Sequence, residues 1–359
     1  MDFRLTDEQT ALRDGARDLL QSECPAEVVR KRYDDINVVP AQLAKILHAS
    51  DWLGMLAPES AGGLGLGVVE ACLMLEEAGR TLAPVPLWST AGLYVPMVLA
   101  TADEAMRDEL LRAVCNDGAL GTAAVAEDDG RWLPTARSTT SDGTTVSGTK
   151  RLVPEADTAN RIVVTAVGPD GPTVFVVDRE HVECRYVETI DRSRALYDVT
   201  FTNAPAQRLQ GADITRALDI AAVTLAAETL GAARWILDTS VAYAKVREQF
   251  GVPIGSFQAV QHKCADDLLD IERAWAATYW AAMCLDSDDA DAPRAAAIAK
   301  ASACDAARRT AKDGVQIHGG IGYTWEHDLH LYVRRVYAAE GLLGSAEEHR
   351  ARLADLIAL

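Results

Sequence analysis

The sequence has few basic side chains for its 359 residues, with 35 lysines and arginines against 53 aspartates and glutamates and a formal charge of −18. Nucleic acids and anionic membranes bind basic surfaces, so this balance argues against both as partners. It does not exclude an anionic cofactor, because a few arginines and backbone N–H groups suffice for a local positive site. The hydrophobic content of 49% and the charged content of 25% are ordinary for a globular protein with a large core.

Three further signals are missing from the sequence. No two of the seven cysteines are spaced C-x-x-C, which argues against a zinc site or a disulfide framework and favours reduced thiols. Residues 1–20 carry charged side chains throughout and lack the apolar run of a signal peptide. No stretch reaches the roughly 18 uncharged apolar residues of a membrane span. We therefore expect a cytoplasmic protein with no metal site and no membrane segment.

The order of helix and strand signals predicts an α+β chain in three parts. Residues 1–118 read as helices, with Thr6 as the N-cap of the first and the glycine-rich run 61–67 as a turn between two others. Residues 119–207 contain short β-branched runs separated by Asp-Gly and Pro-Asp-Gly-Pro turns, which predicts a small antiparallel β domain.

Residues 208–359 are strongly periodic and rich in alanine. Long helices are predicted near 215–247, 257–285 and 293–317, and the acidic stretch 286–291 separates the last two. Long helices with short connections are typical of an antiparallel four-helix-type bundle.

The most informative motif lies where the first of these long helices is predicted to end. It reads Arg247-Glu248-Gln249-Phe250-Gly251, and Phe257-Gln258 follow it. Arg247 offers a bidentate cation to a phosphate, and Phe250-Gly251 combines a sharp turn with a ring that suits an adenine face. Gln258 supplies amide donors and acceptors at the start of the next helix.

A second motif, Gln316-Ile317-His318-Gly319-Gly320, ends the third long helix. Paired glycines allow the backbone to approach a diphosphate closely. Each motif also has a purely structural interpretation, because Arg247 suits a helix C-terminus and Gly319-Gly320 suits a helix stop.

Several other segments occur in a familiar order with these motifs. They are Met1-Asp2-Phe3-Arg4-Leu5-Thr6-Asp7-Glu8-Gln9, residues 57–65, residues 75–80 and the stretch from Leu230-Gly231-Ala232-Ala233 to Gly322-Tyr323. Together they make the chain resemble the acyl-CoA dehydrogenase family over nearly its whole length. The resemblance implies FAD as cofactor, an acyl-CoA thioester as substrate and an electron-transfer flavoprotein as electron acceptor.

The resemblance also implies which residues meet the cofactor. In that family these elements bind the ADP half of an FAD that is held mainly by a neighbouring subunit. The corresponding residues here are Arg247, Gln249, Phe250, Gly251, Phe257, Gln258, Gln316, Gly319 and Gly320.

The chain departs from the family where the flavin ring and the substrate should bind. A Thr-Glu-Pro-x-Ala-Gly-Ser-Asp-like loop is replaced by residues 124–131, and a Trp-x-Thr/Ser segment by Leu152-Val153-Pro154. Proline has neither an N–H nor a hydroxyl to offer. The usual catalytic Glu position is Leu343, and the alternative base position, with its usual Arg neighbour, is Ala221-Ala222. None of these side chains can remove a proton.

Two acidic residues remain as candidates near these positions. Asp219 corresponds to a residue that contacts the CoA arm, and Glu340 lies three residues before Leu343, close to the same helix face. The catalytic residue of this chain is thus unknown from the sequence, with Glu340 as a possible substitute and a solvated surface Glu as its ordinary interpretation.

The residues for the flavin ring and the catalytic base are lost, and the residues for the ADP half of FAD are retained. A symmetric homotetramer needs both halves in every chain, whereas a heterotetramer does not. Paired α₂β₂ acyl-CoA dehydrogenases form a branch of the family in actinobacteria and often act on CoA thioesters of steroid side chains. We therefore expect a base-lacking subunit that donates FAD-binding residues to a partner. The alternatives are a self-sufficient homotetramer whose base is displaced to Glu340 or Glu127, and a scaffold subunit that binds no FAD.

Overall fold

A computed structural model describes residues 3–132, 138–211 and 213–358. The chain forms two compact units. The helical unit comprises residues 1–30, 72–83 and 223–359, and the sheet unit comprises residues 31–71 and 84–222. The order of elements is helices, then strands, then helices, which confirms the predicted α+β class. The predicted domain boundaries after residues 118 and 207 remain predictions.

In the part of the chain that the structure describes, six α-helices precede the strands. They are α1 (Asp7–Glu23), α2 (Ala26–Asp34), α3 (Ala41–Ala49), α4 (Val68–Thr81), α5 (Val95–Thr101) and α6 (Glu104–Asp117). Thr6 caps α1 as predicted, since its hydroxyl accepts the Gln9 N–H at 3.2 Å and the Gln9 side chain accepts the Thr6 N–H in return. The glycine-rich run is a turn before α4, with Gly62 and Gly65 at φ of 88° and 61°.

Among its described residues, the sheet unit has seven strands. They are β1 (Gly121–Ala124), β2 (Thr140–Ser141), β3 (Thr145–Pro154), β4 (Arg161–Gly168), β5 (Gly171–Asp178), β6 (Val182–Val187) and β7 (Leu196–Leu209). Strand β7 pairs antiparallel with β3, β5 and β6, and β4 with β5. Most pairings in the sheet are antiparallel, as predicted, and β1 and β2 in addition pair parallel with β4. Parallel pairing needs a long connection between strands, and the chain that returns through β3 provides it.

The β-branched runs that predicted the strands supply the core of this sheet. Val146, Val164, Phe175, Val199 and Phe201 are at most 2% exposed and belong to one apolar cluster. Alternation along each strand directs these side chains to the inside.

The bundle helices follow the strands. They are α7 (Ile214–Val246), α8 (Gln258–Asp286), α9 (Ala292–His318), α10 (Leu329–Glu340) and α11 (Ala346–Leu356). The first three agree with the predicted ranges to within one residue at each end. Helix α7 is long and apolar enough to cross a membrane, but 89% of its most apolar window is buried inside the protein, as in a core helix.

Two glycines set the distance between α4 and α7 in the helical unit. A Cβ atom at Gly231 would lie 1.9 Å from the Glu76 carbonyl oxygen, and one at Gly79 would lie 1.9 Å from the Glu228 carbonyl oxygen. The two backbones therefore touch at positions where only glycine fits.

Candidate functional site

A two-residue hairpin carries the first motif. Strands β8 (Glu248–Gln249) and β9 (Val252–Pro253) pair antiparallel directly after α7. The two turn residues, Phe250 and Gly251, have φ of 56° and 79°, as a type I′ turn requires. Positive φ is unfavourable for a bulky side chain, yet Phe250 adopts it and is 93% exposed. The hairpin thus presents an aromatic ring to the outside, and the centres of the Phe250 and Phe257 rings lie 6.1 Å apart in an edge-to-face arrangement.

Contacts between helix ends bring the two motifs to the same end of the bundle. The ring of Tyr243, four residues before Arg247, stacks on the His318 ring at 4.5 Å. The His318 Nδ1 atom lies 2.8 Å from the Gly314 carbonyl oxygen, and burial lowers the pKa of this imidazole. An ion pair between Lys263 and Asp313 joins α8 to α9 just inside this end. The ends of α7 and α9 and the start of α8 therefore form one site.

The side chains predicted to bind FAD face outwards at this end of the bundle. Arg247, Gln249, Gln258 and Gln316 are all exposed. The space around Gly251, Gly319 and Gly320 is open, since a Cβ atom added to any of them would meet nothing within 4 Å. An exposed guanidinium, three amides and an open glycine backbone fit the ADP half of FAD, which combines a diphosphate with a ribose and a planar base.

The two glycines of the second motif differ in a way that can be tested. Gly319 has φ of 64° and ψ of −140°, which an L-residue adopts only under strain, whereas no positive φ occurs at Gly320. We expect Gly319→Ala to lower the free energy of unfolding by about 1–3 kcal/mol. Gly320→Ala should leave stability unchanged but reduce FAD retention, because its methyl group enters the space proposed for the diphosphate. Urea unfolding and the ratio of flavin to protein measure the two effects. Unchanged FAD retention in Gly320→Ala would remove that residue from the cofactor site.

The two positions predicted to correspond to the family's base are buried and aliphatic. Leu343 is 6% exposed, with φ of 59°, and its carbonyl oxygen lies 2.8 Å from the His349 Nε2 atom. Ala221 and Ala222 are 0% and 2% exposed on α7. The structure therefore gives neither position a proton acceptor.

The substitute bases have structural partners. Glu340 forms an ion pair with Arg308 at 3.3 Å on the surface of the helical unit. Glu127 is buried, lies 3.1 Å from Lys150, and accepts the N–H groups of Ser138 and Thr139. Burial lowers the pKa of Lys150 to about 8. Both carboxylates already have partners within the protein, which disfavours either as the base.

Asp219, the residue predicted to contact substrate, is only 2% exposed on α7. It is engaged in further interactions within the protein. Its role towards CoA remains a prediction.

The segment that replaces the flavin-facing Trp-x-Thr/Ser is part of the sheet. Val153 and Pro154 pair with Tyr197 and Leu196 of β7. The Thr122 hydroxyl donates to the Pro154 carbonyl oxygen at 2.7 Å. A bulge with Leu152 at φ of 55° precedes them. Through these contacts the segment is part of the sheet of its own chain.

One group of acidic and imidazole side chains has the spacing of metal ligands. Asp178, Glu180 and His181 place one ligand atom each within 4.8 Å of one another. Glu180 and His181 are exposed, and Asp178 is ion-paired with Arg161. Exposed acidic groups of this kind are common without a metal, so the group adds nothing to the site.

Some residues that position the site were not predicted from the sequence. Tyr243 joins α7 to α9, and its spacing of four residues from Arg247 was the available signal, since residues i and i+4 share a helix face. Trp88 and Arg194, which lie against each other in the sheet unit, gave no signal at all because they are distant in the sequence.

Comparisons with known proteins agree with this geometry. The profile of the acyl-CoA dehydrogenase N-terminal domain matches residues 6–117, and that of the C-terminal domain matches residues 211–358. Acyl-CoA dehydrogenase FadE34 of Mycobacterium tuberculosis is 39% identical over 305 residues, which are 84% of this chain. The match spans only 40% of FadE34, so this chain corresponds to less than half of that protein.

Two solved structures share the fold over their whole length. The steroid acyl-CoA dehydrogenase Tcur3481-Tcur3483, in a G363A variant, is 34% identical, with a TM-score of 0.89 and 98% of each chain covered. The ChsE4-ChsE5 complex from Mycobacterium tuberculosis is 26% identical, with a TM-score of 0.91, and the match covers 100% of this chain and 99% of the other. The chain therefore belongs to the acyl-CoA dehydrogenase family, FAD-dependent oxidoreductases that act on CH–CH bonds.

Proposed function

We propose that this chain is the base-lacking subunit of a heterotetrameric acyl-CoA dehydrogenase, and that it donates FAD-binding residues to a partner subunit with the catalytic Glu. One contrast carries the proposal. The residues suited to the ADP half of FAD are exposed and brought together, while both base positions are buried aliphatic side chains. A chain that has the FAD-binding residues but no catalytic base can serve in an assembly in which another chain supplies the base.

The relatives support a two-chain assembly and a bulky substrate. ChsE4-ChsE5 is a complex of two differently named chains, and Tcur3481-Tcur3483 is a steroid dehydrogenase. The part of FadE34 outside the match is longer than this chain. That part is therefore long enough to contain a second set of acyl-CoA dehydrogenase domains of the same size. We infer that the substrate is a CoA thioester of a steroid-derived or similarly bulky acid.

The work of this chain is to hold and orient the cofactor. Arg247 supplies a cation for the diphosphate, and the open backbone at Gly319 and Gly320 allows the diphosphate to approach closely. The Phe250 ring, placed by the hairpin turn, covers an aromatic face. FAD held there would supply a hydride acceptor for the β-carbon of the acyl-CoA, and a carboxylate of the partner would remove the α-proton. An electron-transfer flavoprotein is the expected electron acceptor.

Arg247→Ala tests the proposed role of this chain. Removing a charge-assisted hydrogen bond costs about 1.5–3 kcal/mol, so we expect FAD to bind the purified complex roughly 10–100-fold more weakly. The matched control is Arg294→Ala, which removes a surface arginine paired with Asp291 and should leave FAD binding unchanged. Leu343→Gln should leave turnover per bound flavin unchanged, since no proton passes through that position.

Flavin stoichiometry separates this proposal from its alternatives. We expect little flavin on the chain purified alone and about one flavin per two chains in the complex. One flavin on every chain without a partner would indicate the self-sufficient homotetramer. An Arg247→Ala complex with normal flavin content would indicate a scaffold subunit.

A further inference from the structure

We propose that a cleft between α1, α4, α7 and α8 of the helical unit binds a small carboxylate anion that carries an aromatic body. The inference goes beyond the proposed function, because the residues that line this cleft differ from those proposed to bind FAD. Arg234 of the cleft precedes Arg247 by 13 residues along α7, which is about 20 Å of helix. The two sites are therefore separate.

The first observation is the cavity itself. Its volume is about 300 Å³, at the small end of the range for pockets that hold a small molecule. Its walls come from the four helices and from the residues just before α1, and all of them belong to the helical unit. The cleft therefore has room for a compact ligand and not for a cofactor.

The second observation is the charge of the cleft. Four arginines but only two glutamates are among its nine described lining residues. In a chain with a net charge of −18, this is a local excess of positive charge that attracts an anion. The four arginines are Arg13, Arg17, Arg80 and Arg234.

Carboxylates within the helical unit hold these guanidinium groups in place. Glu77 accepts two N–H groups of Arg17 at 2.7 and 3.1 Å and lies 3.7 Å from Arg80. Arg234 forms an ion pair with Glu272 at 2.7 Å. A guanidinium carries five N–H groups and a forked pair with one carboxylate uses two of them. The arginines are thus oriented in advance and keep donors for a second anion.

The third observation is that the cleft also has an apolar lining. Leu5, Leu73 and Trp275 contribute to its walls. The Trp275 ring stacks on the Tyr279 ring at 4.3 Å, which fixes the position of the indole. Guanidinium groups together with an indole and two leucines suit a carboxylate attached to a flat hydrocarbon body. A bare inorganic anion would leave the apolar side chains unused.

Glu76 couples the binding of an anion to the uptake of a proton. Its carboxylate lines the cleft and accepts the Tyr279 hydroxyl at 2.9 Å, and burial raises its pKa. A bound anion beside Glu76 raises this pKa further, so the carboxyl gains a proton and can donate a hydrogen bond to the ligand. The charged and titratable groups around Glu76 are Glu77 and Arg80 of α4, Arg13 and Arg17 of α1, Arg234 of α7, and Glu272 and Tyr279 of α8.

Isothermal titration calorimetry with benzoate tests the site on the purified protein. We expect saturable binding with a dissociation constant below about 1 mM, and binding at least about tenfold weaker in Arg13→Met. Arg13 is paired with Asp14, its neighbour in the sequence, so this change spares the ion pairs between helices. The matched control is Arg350→Met, which removes an arginine paired with Asp305 outside the cleft and should bind benzoate as wild type does.

Two further ligands and a further variant sharpen the test. Inorganic phosphate has the charge alone and benzyl alcohol has the ring alone, so each should bind at least about tenfold more weakly than benzoate. Titrations in buffers with different heats of ionisation count protons. We expect proton uptake with benzoate in the wild type and none in Glu76→Gln, whose amide oxygen can still accept the Tyr279 hydroxyl.

Each outcome decides the inference. The absence of saturable binding up to about 10 mM benzoate overturns it, as does equal binding by wild type and Arg13→Met. Phosphate that binds as tightly as benzoate overturns the choice of an aromatic carboxylate, and proton uptake that persists in Glu76→Gln overturns the role of Glu76. Arg234→Met takes the place of Arg13→Met if the latter does not fold. None of these results depends on the number of flavins per chain, so the proposed function stands or fails separately.

Discussion

Arg32→Met is expected to lower the free energy of unfolding by about 3–5 kcal/mol at pH 8. Arg32 and Glu155 are 1% and 5% exposed, and their charged atoms lie 3.1 Å apart. Removing the arginine takes the nearest counter-charge away from a buried carboxylate and leaves it only the weaker attraction of Arg194, which is far less favourable than the same carboxylate in water. Urea unfolding, followed by the far-UV signal, measures the loss.

The loss in Arg32→Met should depend on pH in a defined direction. Burial raises the pKa of Glu155 from the ordinary 4.5 to about 7. Between pH 4.5 and about pH 7, Glu155 loses its proton in the unfolded chain but keeps it in the folded chain. The contribution of Glu155 to the free energy of unfolding therefore falls as pH rises through this range and is lost above it. The charge of Arg32 lowers the pKa of Glu155, so removing Arg32 raises this pKa further. The loss of stability with rising pH then continues to higher pH. The deficit of the variant should therefore be larger at pH 8 than at pH 5.

A double variant provides the control for this pair. In Arg32→Met with Glu155→Gln, the neutral amide needs no counter-charge and its oxygen can still accept the Ala195 N–H. We expect the double variant to recover most of the lost stability and to lose the dependence on pH. A deficit in Arg32→Met of less than about 1 kcal/mol, or one equal at pH 5 and pH 8, would contradict this account of the buried pair.

Gly231→Ala should destabilise the helical unit by more than about 3 kcal/mol, above the usual range for an overpacked core. The added methyl group would lie 1.9 Å from the Glu76 carbonyl oxygen, and this obstacle is backbone, which cannot move aside as a flexible side chain can. Helices α4 and α7 must separate to relieve the contact, and their packing is lost with it. The change in melting temperature measures the effect.

Gly15→Ala is the matched control for that experiment. Gly15 lies in α1, and a Cβ atom there would meet nothing within 4 Å. Alanine is the better helix former by about 0.5–1 kcal/mol, so this variant should be slightly more stable than wild type. If both variants melted at the same temperature, the close approach of α4 and α7 would not matter to stability.

The elements were predictable where one local signal dominates. The three long bundle helices were predicted to within one residue at each end, because their apolar periodicity is long and their ends carry polar or glycine residues. Strands β3, β4, β5 and β7 were found from β-branched runs between turn signals. Strand β6 was missed, since Val182–Val187 alternates weakly and carries Glu183 and Arg185. The parallel pairing of β1 and β2 with β4 was also missed, because strand partners are chosen by tertiary packing.

The sequence by itself determined the family and the cofactor, and it excludes proton transfer by the side chains of Leu343 and Ala221, because an aliphatic side chain has no atom that accepts a proton. Only the tertiary structure decided which side chains meet. It stacked Tyr243 on His318 and placed Arg194 over Trp88, and it paired Arg32 with Glu155 across 123 residues. Buried polar groups must find partners wherever the fold brings them together, and that requirement leaves no mark on the spacing of residues along the chain.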